Sequence, residues 1–463
     1  MALILLLTGS RATAHLELVR IAAIPGYFGG CFPCGDANHN GRKDILGAFG
    51  RPIGCPESLL IAERAVGDSF VVTRTQLRTG TVWDLGDGDR DGLSDILTTP
   101  GSESLCVFES SSPDSFPSRL TWSTSAEPGN MEFGLFCEFD RDSQTEIVVT
   151  GPTNSRVRVY ENRGDNEYVA VPFPQNRIES NFAVGDFDGD SLTELVGGNG
   201  RGDIHLFECV GNDSYARVCS LVFWPNEIEA YNTAASRHVD LDGHPGFISL
   251  RRVWNVPSDS CRVRIYLEPV HGQLVCVCSL DFRFAILTGN CVAAGDLDGD
   301  SVDEIAVSNG IDVRLFKCVG PNTWEQVWQW DHGTIPWIRF YDINQDSRNE
   351  MIISADSTYI WEDTSGLAGA AIPKPPSWVR SIAVEPTVSR RDWPAIFTGL
   401  PDGATVEVHS MAGRLVRVHS LKVGPSWTWD LRDQAGNLVP AGTYFAVVRS
   451  KGKSTSLKLC IVK

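Results

Sequence analysis

Apolar and polar positions along most of this chain fall into short strand-like runs separated by turns. Ile204 and Leu206 alternate with His205 and Phe207, the pattern of a strand buried on both faces. The unit around them reads strand, acidic loop, strand, turn, strand, turn, strand. Its parts are Asn181–Val184, a loop, Glu194–Gly197, Asp203–Glu208 and Tyr215–Trp224. Other stretches repeat it, with Arg156–Tyr160 matching Asp312–Phe316. No run approaches the ~20 apolar residues that a membrane-spanning helix needs.

The loop between the first two strands carries the strongest chemical signal. In Gly185–Leu195 the side-chain oxygens of Asp186, Asp188, Asp190 and Glu194 stand at positions 1, 3, 5 and 9. Oxygen ligands crowded at that spacing suit a hard cation, above all Ca²⁺. An EF-hand would need its acid at position 12, which is Gly197 here. Copies of the loop start at Asp36, Asp87, Glu138, Asp186, Asp240, Asp296 and Asp342, spaced by 51, 51, 48, 54, 56 and 46 residues. The candidate ligands in the other copies are Asp36, Asn38, Asn40 and Asp44; Asp87, Asp89, Asp91 and Asp95; and Glu138, Asp140, Asp142 and Glu146. The last two sets are Asp296, Asp298, Asp300 and Glu304, then Asp342, Asn344, Asp346 and Glu350. The fifth copy reads Asp240, Asp242, His244 and Ile248, and its missing position-9 acid removes it from the set. Up to six structural Ca²⁺ sites are expected. Without an ion the clustered carboxylates would repel one another; with one they become a clamp between strands.

A period near fifty residues with four strands per unit predicts an all-β, seven-bladed β-propeller. The seventh unit has only three strands before a Gly-, Ala- and Pro-rich linker at 365–377. The segment His15–Ile24 precedes the first loop and is expected to complete that last blade. The propeller then spans 15–364. Ala2–Leu7 followed by Ala12-Thr13-Ala14 reads as a truncated signal peptide over 1–14. From Trp378 to Lys463, alternating short strands and turns predict a small β-sandwich.

Composition changes this picture little. The net charge is −18, and the seven loops hold 23 of the 58 acidic residues, so the acidity is local. A basic nucleic-acid footprint is absent. The thirteen cysteines lie mostly in strand-like segments and read as buried thiols, with disulfides possible in an exported protein.

Residues 15–364 resemble the FG-GAP/VCBS propellers, the family of the integrin α-subunit head. The D-x-D-x-D-G-x-x-D loops at Asp87–Asp95, Asp186–Glu194 and Asp296–Glu304 carry the likeness. The resemblance implies one Ca²⁺ per intact loop. Glycine at position 6 survives only at Gly41 and Gly92, with Ser143, Ser191, Ser301 and Ser347 elsewhere. The final module resembles the Ig-like C-terminal sorting domains of type IX secretion. Its Gly413-Arg-Leu-Val416, Ala441-Gly-Thr-Tyr444 and basic last residue carry that likeness. Together these imply a secreted protein on the outer surface of a Gram-negative-type bacterium, read by outer-membrane export machinery.

No H-E-x-x-H or G-x-S-x-G motif is present, so no catalytic residues are assigned. Arg201-Gly202-Asp203 sits where a polar turn is expected anyway. Trp122, Trp224, Tyr231, Trp254, Trp330 and Trp337 adjoin the connections opposite the acidic loops, and are expected to line a glycan or protein ligand. The expected role is adhesion or binding. The rival is a polysaccharide lyase or hydrolase built on the propeller.

Overall fold

The structure, a computed structural model, describes residues 16–25, 28, 32–49, 58–65, 69–100, 104–124, 133–151, 156–174, 177–179, 181–221, 227–253, 260–283, 292–308, 312–331, 337–365, 383–385, 388–390, 395–398, 400, 403–410, 414–421, 427–450 and 453–462. The expected signal peptide and most of the expected linker lie outside these residues. The chain divides into two compact units, Met1–Gly366 and Leu367–Lys463. No helix among the described residues is long and apolar enough to cross a membrane.

The first unit is a seven-bladed β-propeller, with seven four-stranded antiparallel sheets among the described residues. Blade 1 holds Cys34–Gly35, Asp44–Phe49, Ser58–Arg64 and Phe70–Arg78. Blade 2 holds Thr81–Gly86, Asp95–Thr99, Leu105–Glu109 and Arg119–Thr124. Blade 3 holds Phe133–Cys137, Glu146–Gly151, Arg156–Gly164 and Glu167–Val171. Blade 4 runs Phe182–Gly185, Glu194–Gly198, Ile204–Gly211 and Ser214–Leu221. Blade 5 runs Glu227–Ser236, Gly246–Val253, Ser260–Val270 and Gln273–Arg283. Blade 6 runs Val292–Gly295, Glu304–Ser308, Asp312–Gly320 and Thr323–Asp331. Blade 7 takes Trp337–Tyr341, Glu350–Ser354 and Ser357–Asp363, and its outer strand is Leu18–Pro25 from the other end of the chain. That strand pairs from Leu18↔Asp363 to Pro25↔Ser357.

The second strand of each blade shows why these sequences make a ring. It is buried on both faces, and its two faces belong to different cores. Leu195 packs into the cluster between blades 3 and 4, and Val196 into the one between blades 4 and 5. Ile96 and Leu97, Ile147 and Val148, Ile305 and Ala306, and Met351 and Ile352 divide the same way. The period of two along a strand thus becomes one contact with the preceding blade and one with the following blade. The cluster between blades 7 and 1 closes the circuit, with Ile24, Ile352 and Ile360 against Ile45 and Leu60.

The second unit is a β-sandwich. One sheet pairs Ala383–Glu385, Ala395–Thr398 and Trp427–Trp429. The other orders Val388–Arg390, Lys453–Val462, Gly442–Ser450, Thr405–Ser410 and Leu415–Ser420. Phe397 and Trp429 from the first sheet meet Val406, Val408, Ala446 and Val448 from the second. The Tyr444 hydroxyl donates to the Pro440 carbonyl at 2.7 Å, tying a buried ring to the backbone just upstream.

Candidate functional site

Each acidic loop is a tight turn whose amides are held by its own acids. The position-1 carboxylate accepts the position-6 N–H in five copies, as in Ser191 N–H to Asp186 Oδ2 at 3.0 Å and Gly92 N–H to Asp87 Oδ2 at 3.0 Å. Position 5 accepts from position 7, as in Leu192 N–H to Asp190 Oδ1 at 2.7 Å. Position 6 lies in the left-handed region whether it is glycine or serine, with φ of 89° at Gly92 and 73° at Ser191. Turn geometry therefore persists where the glycine of the motif is lost.

Position 9 works differently. One of its oxygens accepts the position-2 N–H: Ala37 to Asp44 at 3.0 Å, Gly88 to Asp95 at 2.8 Å, Phe187 to Glu194 at 2.5 Å, Leu297 to Glu304 at 2.9 Å and Ile343 to Glu350 at 2.8 Å, with Phe139 to Glu146 alike. The second oxygen of Asp44, Asp95, Glu146 and Glu194 is buried without a hydrogen-bond partner. Burial pushes these carboxyls up, Asp44 to about 7, Asp95 to about 8 and Glu194 to about 9, although the amide bonds act the other way.

Two further groups complete the site, and neither was read from the sequence. On the third strand, Glu63, Glu109, Glu161 and Glu208 pair directly with Asp44, Asp95, Glu146 and Glu194. From the following blade, the hairpin between strands three and four reaches over the loop. The Asn166 N–H donates to Asp89 Oδ2 at 2.7 Å, and the Asp213 N–H to Asp140 Oδ2 at 2.5 Å. His271 of blade 5 brings Nδ1 within 3.1 Å of both Asp188 Oδ2 and Glu208 Oε2. Each loop is thus a joint between two blades. Gly88 shows how tight the joint is: a Cβ there would stand 2.4 Å from the Tyr168 hydroxyl of blade 3.

The profile of the FG-GAP-like repeat matches residues 138–197, from the third acidic loop to the second strand of blade 4. That segment is an FG-GAP-like repeat. The other copies share its loop and strand order. Among solved structures, a lectin named BP39L from Burkholderia pseudomallei is 12% identical with a TM-score of 0.51, covering 73% of this chain and 97% of its own. PorZ, described as an essential bacterial surface component of the type-IX secretion system of Porphyromonas gingivalis, is 14% identical with a TM-score of 0.43. The alignment covers 95% of this chain, which spans only 60% of PorZ. These likenesses are to the fold. No curated protein sequence matches the chain.

A hard divalent cation fits the repeats of blades 1 to 4, because each holds a buried carboxylate oxygen with nothing to meet it. In blade 7 the Asn344 side-chain amide meets Glu350 Oε1 instead. Blade 6 does not fit the ion. Across from Glu304, one residue past the Ile305↔Phe316 pair, stands Lys317, where blades 1 to 4 and, with Glu362, blade 7 carry glutamate; its ammonium contacts Asp298, Asp300 at 2.8 Å and Glu304 at 3.2 Å. Burial works to lower the Lys317 pKa, but Glu304, Asp298 and Asp300 outweigh it and raise it. The expected ligand set Asp296, Asp298, Asp300 and Glu304 thus has a lysine among its acids.

The fifth copy also needs correction. Val239 is the buried residue that corresponds to Phe187 and Leu297, so Asp240 stands at position 3 and His238 at position 1. The Asp242 N–H donates to Asp240 Oδ1 at 3.0 Å, the bond that position 5 makes to position 3 in other copies. Position 9 is then Gly246, paired with Ser236, and not Ile248, which lies in the core between blades 5 and 6. The Val239 N–H donates to the His244 carbonyl at 2.9 Å instead of to a carboxylate.

Three of the expected rim aromatics, all half-buried, pack on neighbouring blades. Trp122 stands edge-on to Tyr160 and Tyr168 of blade 3, at 5.4 and 5.3 Å. Trp330 packs on Tyr359 and Trp361 of blade 7, at 5.0 and 5.6 Å. Trp337 begins the inner strand of blade 7 and packs on the cores between blades 7 and 1 and between blades 2 and 3. Trp224 and Trp254 lie outside the described residues, and Tyr231 lies in the inner strand of blade 5. The Arg201-Gly202-Asp203 turn is closed by Asn199, whose Oδ1 accepts the Arg201 and Asp203 amides at 2.9 and 3.0 Å. Among the described residues a cavity lies on the acidic-loop side. It has a volume of about 670 Å³ and gathers Asp186, Arg237, Asp303 and Asn349 from four successive blades. It adjoins a second cavity, of about 290 Å³, lined by inner-strand residues such as Phe133, Phe182 and Ala293.

Proposed function

We propose that this chain is a calcium-stabilised, non-catalytic binding protein of the bacterial surface, taking a glycan at the mouth of the cavity on the acidic-loop side. The buried, unpartnered oxygens of Asp44, Asp95, Glu146 and Glu194 carry the calcium part of the reading. Four converging blades at the mouth supply charged and amide groups of both signs, which suits a polyhydroxylated ligand better than an apolar one. The lectin of similar fold supports the same direction. The C-terminal sandwich, with its sorting-domain motifs, would act as the export address and not as part of the ligand site.

A glycan array probed with the full chain, in calcium and in chelator, tests the binding. Binding in calcium that weakens at least tenfold in Arg237→Ala is expected. An array without any hit, or hits indifferent to Arg237, would overturn the assignment. In a native host, truncation after Asp363 should leave the propeller in the periplasm. Normal surface levels would remove the sorting role.

A further inference from the structure

We propose that the adjoining loops of blades 5 and 6 form a metal-free clamp, with the Lys317 ammonium standing in blade 6 where the loops of blades 1 to 4 take a cation. The inference rests on the calcium reading of blades 1 to 4, and goes beyond it by dividing the ring into calcium-dependent and calcium-independent joints.

Three observations carry it. Lys317 occupies the third-strand position that is glutamate in blades 1, 2, 3 and 4, one residue past the Ile305↔Phe316 pair and 3.2 Å from the position-9 acid Glu304. Its side chain is 7% exposed and touches three of the loop's four acids, so a divalent ion could enter only by expelling a buried, paired ammonium. Blade 4 presents five acids to its ion, counting Glu208; blade 6 presents four acids and one internal cation.

The second observation is the blade 5 loop, where both oxygens of Asp240 already accept bonds from the Asp242 and His244 amides and the His244 ring. Its position-9 residue is Gly246, the His244 carbonyl takes the position-2 amide, and His244 pairs with Asp240 at 2.9 Å. Nothing there resembles the orphaned carboxylates of blades 1 to 4.

The third is direct stitching between the two loops. Asp303 of blade 6 accepts the Ser236 hydroxyl at 2.7 Å and the Arg237 N–H at 2.9 Å, and its own N–H donates to the His238 carbonyl at 2.9 Å. His238 Nδ1 lies 2.9 Å from the Ser301 carbonyl. Protein groups hold this joint together, so chelation leaves it closed while the joints at blades 1 to 4 loosen.

The test uses the full chain and calcium alone. Lys317→Glu installs the residue type of the other blades, and Lys317→Gln removes the charge at similar length. Equilibrium dialysis should find one more bound Ca²⁺ per chain in Lys317→Glu than in the natural protein. Hydrogen exchange should show Val292–Gly295 and Glu304–Ser308 protected in chelator in the natural chain, and at least tenfold less protected in either variant. Unchanged stoichiometry in a folded Lys317→Glu would overturn the proposal. So would natural blade 6 strands that lose protection in chelator as fully as Glu194–Gly198. If Lys317→Glu fails to fold, the exchange pattern of Lys317→Gln decides. A natural chain that binds no calcium at all would sink the reading of blades 1 to 4. The gain or absence of a site on changing Lys317 would still decide this joint.

Discussion

Replacing Glu194 by glutamine is expected to stabilise the protein without calcium and to destabilise it with calcium. The carboxyl has its ordinary value of 4.5 in the unfolded chain, and burial pushes it up to about 9 in the folded one. Between those values the folded state holds a proton that the unfolded state has released. The contribution of this group to the metal-free fold is therefore greatest below about 4.5 and falls as pH rises toward 9. Each pH unit inside the window costs about 1.4 kcal/mol, so moving from pH 5 to pH 8 removes about 4 kcal/mol through this one group. That is a large share of an ordinary domain's ~5–15 kcal/mol. Glutamine does not ionise, and its side-chain oxygen can still accept the Phe187 N–H that Glu194 Oε2 accepts. In chelator at pH 8, Glu194→Gln should thus gain up to about 4 kcal/mol over the natural chain, and at pH 5 almost nothing. In saturating calcium the order should reverse, because the ion loses a charged ligand. Urea unfolding followed by tryptophan fluorescence, at both pH values and in both conditions, reads all four comparisons. A variant weaker than the natural chain everywhere would refute the reasoning, as would an advantage of Glu194→Gln in chelator that does not grow from pH 5 to pH 8.

Ring closure gives a second expectation. Ile24 is buried in the core between blades 7 and 1, so Ile24→Ala should cost about 3 kcal/mol by urea unfolding, and a cost under about 1 would argue against that core. Ser191 holds φ of 73°, a conformation glycine adopts freely. Ser191→Gly should therefore raise stability by up to about 1 kcal/mol in calcium, whereas a loss would mean the hydroxyl is needed. Among the described cysteines Cys276 is exposed, whereas Cys34 is buried and burial pushes its thiol up to about 12. Iodoacetamide should label Cys276 at least tenfold faster than Cys34 in the native protein, which peptide mass spectrometry can follow; equal rates would contradict the burial.

The propeller was legible because its signal is local. Four oxygens within nine residues, followed at once by a doubly buried strand, mark each blade wherever they occur. The fifth copy misled because Asp240 and Asp242 imitate positions 1 and 3, while register is set by strand pairing and burial. The apolar residue at position 2 would have corrected it: Ala37, Phe139, Phe187, Leu297 and Ile343 point to Val239. The third-strand acids escaped because hairpins of different length separate them from position 9. Their trace in the sequence is a charged residue directly after an aromatic, as in Phe108-Glu109, Tyr160-Glu161, Phe207-Glu208 and Phe316-Lys317. The packing of the described rim aromatics has a more general reason. A large ring on an outer strand meets the neighbouring blade before it meets solvent, as Trp122 and Trp330 do.

The seven loops also suggest which requirement comes first, the turn or the ion. Every described loop directs its position-2 amide inward, where leaving it unpaired would cost about 1–3 kcal/mol. Six loops answer with a position-9 carboxylate and blade 5 answers with the His244 carbonyl. The carbonyl solves the problem outright. The carboxylate solves it by importing a buried charge, which then needs a partner of its own. Asn344 meets that need in blade 7 and Lys317 in blade 6, while blades 1 to 4 leave an oxygen for a cation. On this ordering the acid at position 9 is a turn device first, and the cation site is its electrostatic consequence. Loops with and without an ion can therefore share one backbone shape, and what meets the buried charge, the third-strand Lys317 in blade 6 or the loop residue Asn344 in blade 7, decides which kind each becomes.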